Sequence, residues 1–326
     1  MDSQKRKKLW WQVPLLVLLV VGTFFIARQQ RSATFQHDSG MIFGTIYNVT
    51  YQSQTGLQSE IEAALLEVDA EFSMFNDTST VSRINRGEQP QRSPMFEEVF
   101  ELAQTVNRET DGAFDITVAP LVNAWGFGFK HEQMPTPSQV DSLLKIRSQY
   151  DFSAVAKGYG VDCVAQLLSR QGVRNFMIEI GGEITTRGHN PNGEPWRIGV
   201  TKPSDDSLAV SGELQTVLTL TDQSLATSGN YRNFYYKDGR KYAHTIDPRT
   251  GYPVQHNILS ATVLAEQCAV ADAYATSFMV LGLDGARRVL ERHPELQAYL
   301  IYSDENDSLR VWSSIQLSQA LLGGSE

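Results

Sequence analysis

Apolar side chains recur at helical spacing early in the chain. From Ser59 they fall at Ile61, Leu65, Val68 and Phe72, a stripe that predicts a helix buried on one face. Ser93-Pro94 offers a cap and a first turn for a second helix reaching Glu109, with Gly112 just beyond it. A shorter helix is expected after Ser138, and another from about Ala156 to Arg170 that stops near Gly172. The period then changes. Phe176 to Ile180, Arg197 to Thr201, Leu214 to Leu220 and Ile258 to Ala265 are rich in branched residues and predict strands. Tyr235 to Tyr242 predicts a hairpin around an Asp238-Gly239 turn. A helix resumes around Ala269, and Leu296 to Tyr302 predicts a further strand. Helices and strands mix without βαβ alternation, so the expected class is α+β.

The N-terminus follows another pattern. Lys5-Arg6-Lys7-Lys8 precedes an apolar run from Leu9 to Ala27, nineteen residues that would span about 28 Å as a helix, close to the thickness of a bilayer's hydrocarbon. The basic cluster would keep the N-terminus in the cytoplasm, and Trp10 and Trp11 sit where interfacial aromatics belong. The expected organisation is a cytoplasmic tail over 1–8, a transmembrane signal anchor over 9–27, a linker over 28–40 and an extracytoplasmic domain over 41–322. A cleaved signal peptide is the rival reading, although no clean small-x-small site follows Ile26 and no cysteine nearby could carry a lipid.

Charge narrows the partners. The 326 residues hold 28 basic and 37 acidic side chains, but six of the basic ones and a single acid lie within residues 1–31. The remaining 22 basic and 36 acidic groups make a body that phosphate backbones repel, which argues against nucleic acid as a partner. Cys163 and Cys268 are too few for a disulfide scaffold or a four-thiolate zinc site, and whether they pair is open.

Several positions could carry chemistry. Asp272 and Thr276 stand four apart in a predicted helix, so a carboxylate and a hydroxyl share a face. A hard cation such as Mg²⁺ takes such oxygens and keeps positions open for phosphate. Taken alone, the pair is more often an Asp near a helix start and a Thr bonding back to the i−4 carbonyl. The stretch Asp151-Phe152-Ser153-Ala154-Val155-Ala156-Lys157-Gly158-Tyr159-Gly160 enters a helix through small residues, leaving N–H groups open to an anion beside Lys157. A strand-to-helix turn with a surface lysine would read the same way. His244, ending a predicted hairpin strand, could relay a proton or hold a phosphate, where a structural histidine is the commoner use. Trp125-Gly126-Phe127-Gly128 sets aromatic faces beside flexible backbone, which suits a flat ring system or a loop closing over the core.

Taken in order, these segments resemble the FAD:protein FMN transferases, the ApbE family. Phe43-Gly44-Thr45 is similar to that family's opening Met-Gly-Thr, and Phe72-Ser73-Met74-Phe75 to its Phe-Ser-x-Tyr. Ser82-Arg83-Ile84-Asn85, Phe114-Asp115-Ile116-Thr117, Pro120 to Gly128, Ala156-Lys157-Gly158-Tyr159 and Ile180-Gly181-Gly182-Glu183 follow its pattern. So do Thr227-Ser228-Gly229-Asn230-Tyr231, His244 to Gly251, and Ala271-Asp272-Ala273-Tyr274-Ala275-Thr276. The resemblance runs from Phe43 to about residue 312.

The resemblance implies mixed, mainly antiparallel sheets with helices in one two-lobed catalytic domain. It implies Mg²⁺-dependent transfer of FMN from FAD to a threonine hydroxyl of an acceptor protein, with release of AMP. The acceptors would carry an Asp-Gly-x-Thr-type motif, as in subunits of ion-translocating NADH:quinone reductases or Rnf-type complexes. The setting would be a bacterial inner membrane, with one span and the catalytic domain facing the periplasm. Residue by residue, it implies that the Ala154 carbonyl, Asp272 and Thr276 hold the metal. Phe43, Phe75, Ala124, Trp125, Gly126, Phe127, Asp151, Lys157 and Ile246 would line the FAD site, and His244 and Asp272 would serve the transfer. Phe43 stands where Met is usual, Phe75 where Tyr is usual, and Ala275 where some members carry a further acid. Thr227 and Thr276 lack a preceding Asp-Gly, so self-modification is not expected. Two other functions fit the same residues: an FAD pyrophosphatase with water as acceptor, and a non-catalytic, membrane-tethered flavin-binding protein.

Overall fold

A computed structural model describes residues 34–127, 134–203, 214–229, 245–255, 257–306 and 308–314, with residues 14, 17–21 and 317 and the backbone of 234–237 and 240–243. Strands β1 (Thr34–Ile42) and β2 (Thr45–Ser53) pair residue for residue around a two-residue turn, Phe43-Gly44. Both turn residues lie at positive φ, 52° and 74°, the geometry that matches the twist of a tight hairpin. The sheet therefore starts inside the stretch expected as linker, because residues 34–40 find partners in β2. Of the expected span, residues 14 and 17–21 are described, helical and exposed. Among the described residues no helix is long and apolar enough to cross a membrane.

Helix α1 (Gln58–Phe72) buries the predicted stripe Ile61, Leu65, Val68 and Phe72. After α2 (Thr80–Asn85) comes α3 (Pro94–Glu109), where the Ser93 hydroxyl accepts from the Phe96 N–H as its cap. Short helices α4 (Ala119–Ala124) and α5 (Pro137–Leu143) lead to α6 (Ala156–Arg170). Strands β3 (Phe176–Ile180), β4 (Glu183–Arg187), β5 (Trp196–Thr201), β6 (Leu214–Leu220) and β7 (Ser224–Gly229) follow. The expected hairpin forms as β8 (Phe234–Lys237) and β9 (Arg240–Ala243). Then come β10 (Ile258–Ala265), α7 (Cys268–Arg292), β11 (Gln297–Ser303) and β12 (Leu309–Ser313).

Eight strands make one antiparallel sheet, ordered β1-β2-β3-β4-β7-β10-β11-β12, which gives the expected α+β class. Side-chain alternation splits its two faces. On β10 and β11, Ala261, Val263, Ala298 and Leu300 join the core beneath the helices, while Leu264, Tyr299 and Ile301 pack with Ile198, Val200, Leu218 and Leu220 of the β5–β6 ribbon. Both faces of β10 are covered, which is why burial along it does not alternate and even its Ser260 and Thr262 are buried.

The start of α7 is pinned from a neighbouring helix. Asp162 of α6 accepts the Cys268 and Ala269 N–H groups, each at 2.9 Å. Burial pushes its carboxyl up from 3.8 to about 6, against the pull of those two N–H donors. The folded state thus holds this proton more tightly than the unfolded chain, and the associated stability is present below the unfolded value and lost as pH rises through about 6. Asp162→Asn removes that dependence. Between pH 4.5 and 7.5 the wild-type Tm should fall relative to the variant's by a few degrees, the effect of about 1–2 kcal/mol once partial exposure is discounted. A Tm difference that stays constant across this range would refute the assignment.

Candidate functional site

Helices α6 and α7 cross at a glycine. A Cβ on Gly158 would sit 2.5 Å from the Cys268 carbonyl oxygen and 2.8 Å from the Ala269 Cα, so only glycine lets the two backbones meet. The approach brings the Gly158 N–H to the Asp272 Oδ2 at 3.2 Å. At this N–H the anion anticipated for the helix start is a carboxylate of the protein itself.

Around that contact, three charged side chains converge. Lys157 Nζ donates to Glu183 Oε1 at 2.6 Å and lies 4.0 Å from Asp272 Oδ2. Glu183 begins β4 directly after the Gly181-Gly182 turn, whose φ values of 62° and 108° demand glycine. Asp272 is 2% exposed and Glu183 3%. Burial raises both carboxyl pKa values, Glu183 to about 7, while Lys157 pulls them back. Burial also opposes the lysine's charge, but the Asp272 and Glu183 carboxylates outweigh it and hold the ammonium above its ordinary value. One cation faces two buried acids, and Glu183 Oε2 has no hydrogen-bond partner among the described residues.

These groups line a cleft of about 550 Å³ that also receives Thr276, Thr227 and Ser228, with β5 as a further wall. Thr276 and Asp272 share a face of α7, as their spacing predicts, and the Thr276 hydroxyl meets Ser228 Oγ across the cleft at 3.1 Å. A smaller recess of about 90 Å³ adjoins it through the shared residues Ser153 and Lys157. Its other walls include Phe43, Phe75 and Asp151. Phe43 is carried there by its positive-φ turn and packs against Gly160, where a Cβ would fall 2.8 Å from its ring. Asp151 is buried, its carboxylate accepts the Ser153 N–H at 2.8 Å, and burial raises its pKa. Phe75 sits at the rim, 77% exposed.

The predicted site is therefore gathered in part. Phe43, Phe75, Asp151, Lys157, Asp272 and Thr276 line two adjoining spaces, and Ala154 follows the shared Ser153 while packing partly against the core. Trp125 and Ile246 meet each other instead, in a small apolar cluster with Leu121 and Val140. The Trp125 indole N–H is spent on the Gly251 carbonyl at 2.8 Å. Phe127 packs onto that cluster, Gly126 closes α4 at φ 79°, and Ala124 lines a separate surface cleft. Among the described residues, Ala124, Trp125, Gly126, Phe127 and Ile246 do not line the cleft or the recess. His244 lies outside the described residues. Glu183 is the charged cleft residue, bonded to Lys157, that sequence reasoning did not single out. Its signal was an acid placed between a double glycine and a strand.

Fold and site together define a class of α+β protein in which a helix crossing sets a lysine and two buried carboxylates at the mouth of an antiparallel sheet. The chain belongs to the ApbE family, whose model matches residues 43–300. It is 36% identical over 324 residues to the FAD:protein FMN transferase of Vibrio cholerae, covering 90% of this chain and 94% of that one. Against the FAD:protein FMN transferase of Escherichia coli it is 32% identical over 346 residues, covering 94% and 97%. Among solved structures, the flavin transferase ApbE from Vibrio cholerae superposes with a TM-score of 0.79 at 35% identity, covering 88% of this chain and 99% of that one. The apo flavinyl transferase ApbE from Pseudomonas stutzeri gives 0.77 at 29% identity, covering 90% and 98%.

Proposed function

We propose that this chain transfers the FMN moiety of FAD to a threonine hydroxyl of an acceptor protein, with Mg²⁺, and releases AMP. The observation that carries this reading is the convergence of Lys157, Glu183 and Asp272 with the Thr276 hydroxyl on one cleft, in a chain whose near-full-length relatives are named FAD:protein FMN transferases.

A divalent cation fits the donor set. Two buried acids face one lysine, Asp272 and Thr276 present hard oxygens on one helical face, and at the cleft Glu183 Oε2 has no partner among the described residues. By family likeness Asp272, Thr276 and the Ala154 carbonyl would hold the ion, a mixed set of one carboxylate, one hydroxyl and one backbone oxygen, with Asp272 and Thr276 both lining the cleft. Bound there, Mg²⁺ would offset the pyrophosphate's charge and polarise the phosphorus under attack. Lys157 would bind the phosphate oxygens and stabilise charge developing on AMP. Phe43 and Phe75 offer apolar faces to a flat ring, with Asp151 beside them, and family likeness adds Ala124 to Phe127 and Ile246 to the flavin's surroundings. His244 takes or orients the acceptor's proton. The apolar segment 9–27 would tether the domain to the inner membrane, facing the periplasm. There it would meet acceptors with an Asp-Gly-x-Thr-type motif, as in NADH:quinone reductase or Rnf-type subunits.

The test is mass spectrometry of such an acceptor after incubation with the protein, FAD and Mg²⁺. The expected result is one added FMN on the threonine, with equimolar AMP, lost on chelation of the metal. Release of FMN and AMP with the acceptor unmodified would make the protein a pyrophosphatase, and intact FAD would make it a binding protein.

A further inference from the structure

We propose that Ser228 is a positioning residue for the metal site: its Oγ accepts the Thr276 hydroxyl's hydrogen and so turns that hydroxyl's lone pairs to the cation in the cleft. The inference rests on the transferase reading above, in which Thr276 is a ligand. Ser228 lies on β7, where alternation sends Leu225 to the β5–β6 ribbon and Ala226 to the core beneath the helices. Ser228 follows Ala226 at the two-residue period, so it faces α7, and its Oγ lies 3.1 Å from Thr276 Oγ1. Both side chains line the cleft and are half-buried, within reach of an ion bound there.

The Thr276 hydroxyl has two ways to place its hydrogen. On a helix a serine or threonine hydroxyl ordinarily bonds back to the carbonyl four residues earlier, and threonine divides between two rotamers for that reason. The next residue of α7 does this: Ser277 Oγ donates to the Ala273 carbonyl at 2.7 Å. Thr276 does not. Among the described residues its hydroxyl bonds Ser228 alone, and the Asp272 carbonyl receives nothing from it. Thr227 also lines the cleft, but its hydroxyl pairs with that of Thr262 on β10 at 2.9 Å.

A hydroxyl that ligates a cation aims a lone pair at the ion, so its hydrogen must point elsewhere. Bonding back to the Asp272 carbonyl would satisfy the hydrogen but draw the oxygen towards its own helix. Ser228 satisfies it from the opposite wall and holds the rotamer that keeps the oxygen in the cleft, on the helical face it shares with the Asp272 carboxylate. Partners that orient a metal ligand in this way commonly account for about 10–100-fold in metal affinity.

Ser228→Ala leaves the Thr276 hydroxyl only the back-bond. In the FAD-loaded protein, Mn²⁺ affinity, read by loss of the free ion's EPR signal, should weaken about 10–100-fold, while FAD affinity in EDTA stays within about threefold of wild type. FMN transfer should need correspondingly more Mg²⁺ for its half-maximal rate, with kcat at saturating Mg²⁺ within about threefold of wild type. Ser228→Thr keeps the hydroxyl and should recover most of the lost Mn²⁺ affinity. Thr276→Val deletes the ligand itself and should lose more than Ser228→Ala does. Unchanged Mn²⁺ affinity in the alanine variant, equal losses in the alanine and threonine variants, a kcat that stays low at saturating Mg²⁺, or a loss as deep as that of Thr276→Val would each overturn the positioning role. Wild-type protein that binds no Mn²⁺ beside FAD would instead overturn the metal-dependent transferase reading.

Discussion

Asp272→Ala should lower metal-dependent FMN transfer by about 10³-fold or more, yet leave a folded protein. The electrostatics argue for both halves. Lys157 is flanked by Asp272 and Glu183, and removing one acid leaves a balanced lysine–glutamate pair with no surplus charge to attract a cation. The loss also takes away the one carboxylate that shares a helical face with Thr276 at the cleft. Stability responds differently. The Gly158 N–H loses its acceptor, which costs about 1–3 kcal/mol. Against that, a carboxylate whose ionisation burial already opposes is gone from the interior. These terms oppose one another, so Tm should move by only a few degrees while added Mg²⁺ no longer raises it. Asp272→Asn keeps an acceptor for Gly158 and should be equally inactive. Normal transfer by the alanine variant in Mg²⁺ would remove Asp272 from the metal site.

What could be read from the sequence depended on whether an element advertises itself by period or only by pairing. α1, α3 and α6 carry apolar stripes, α3 with its Ser93 cap and α6 with Gly172 just beyond its end, and their observed bounds fall within a residue or two of expectation. β4 and β7 were missed because their segments, EITTR and SLATSG, look like polar turns. Inside the sheet those polar groups satisfy one another, Thr185 with Ser224 at 2.8 Å and Thr227 with Thr262 at 2.9 Å. β1 was read as linker because an edge strand needs no continuous apolar run. The site shows the same division. Asp272 and Thr276 could be paired from their spacing alone, because a helix fixes who shares a face. Glu183 could not, since its place beside Lys157 depends on a β3–β4 turn and on how far α6 sinks onto the sheet. Trp125 and Ile246 fall in one apolar cluster, with the Trp125 indole N–H on the Gly251 carbonyl, a placement that no local spacing encodes. Cys163 and Cys268 are both free thiols.

Gly158→Ala should cost stability and activity together, against the direction that helix propensity alone predicts. Alanine is favoured over glycine within a helix by about 1 kcal/mol. Here the added methyl would lie 2.5 Å from the Cys268 oxygen, 2.7 Å from its carbonyl carbon and 2.8 Å from the Ala269 Cα. All three are backbone atoms in the first turn of α7, and Asp162 ties that turn to α6 through two N–H bonds. No side chain can swing away, so the helices must separate. Overpacking of this kind costs about 3 kcal/mol or more, and Tm should fall by about 6 °C or more for a domain of this size. Lys157 rides on one helix and Asp272 on the other, so separation also lengthens the Gly158–Asp272 bond and misplaces the charges. Transfer should drop on the order of 100-fold even below the variant's Tm. Gly56→Ala is the matched control, because nothing lies within 4 Å of a Cβ there, and it should leave both quantities unchanged. A Gly158→Ala protein as stable and as active as wild type would mean that the close crossing of α6 and α7 does not set the geometry of the cleft.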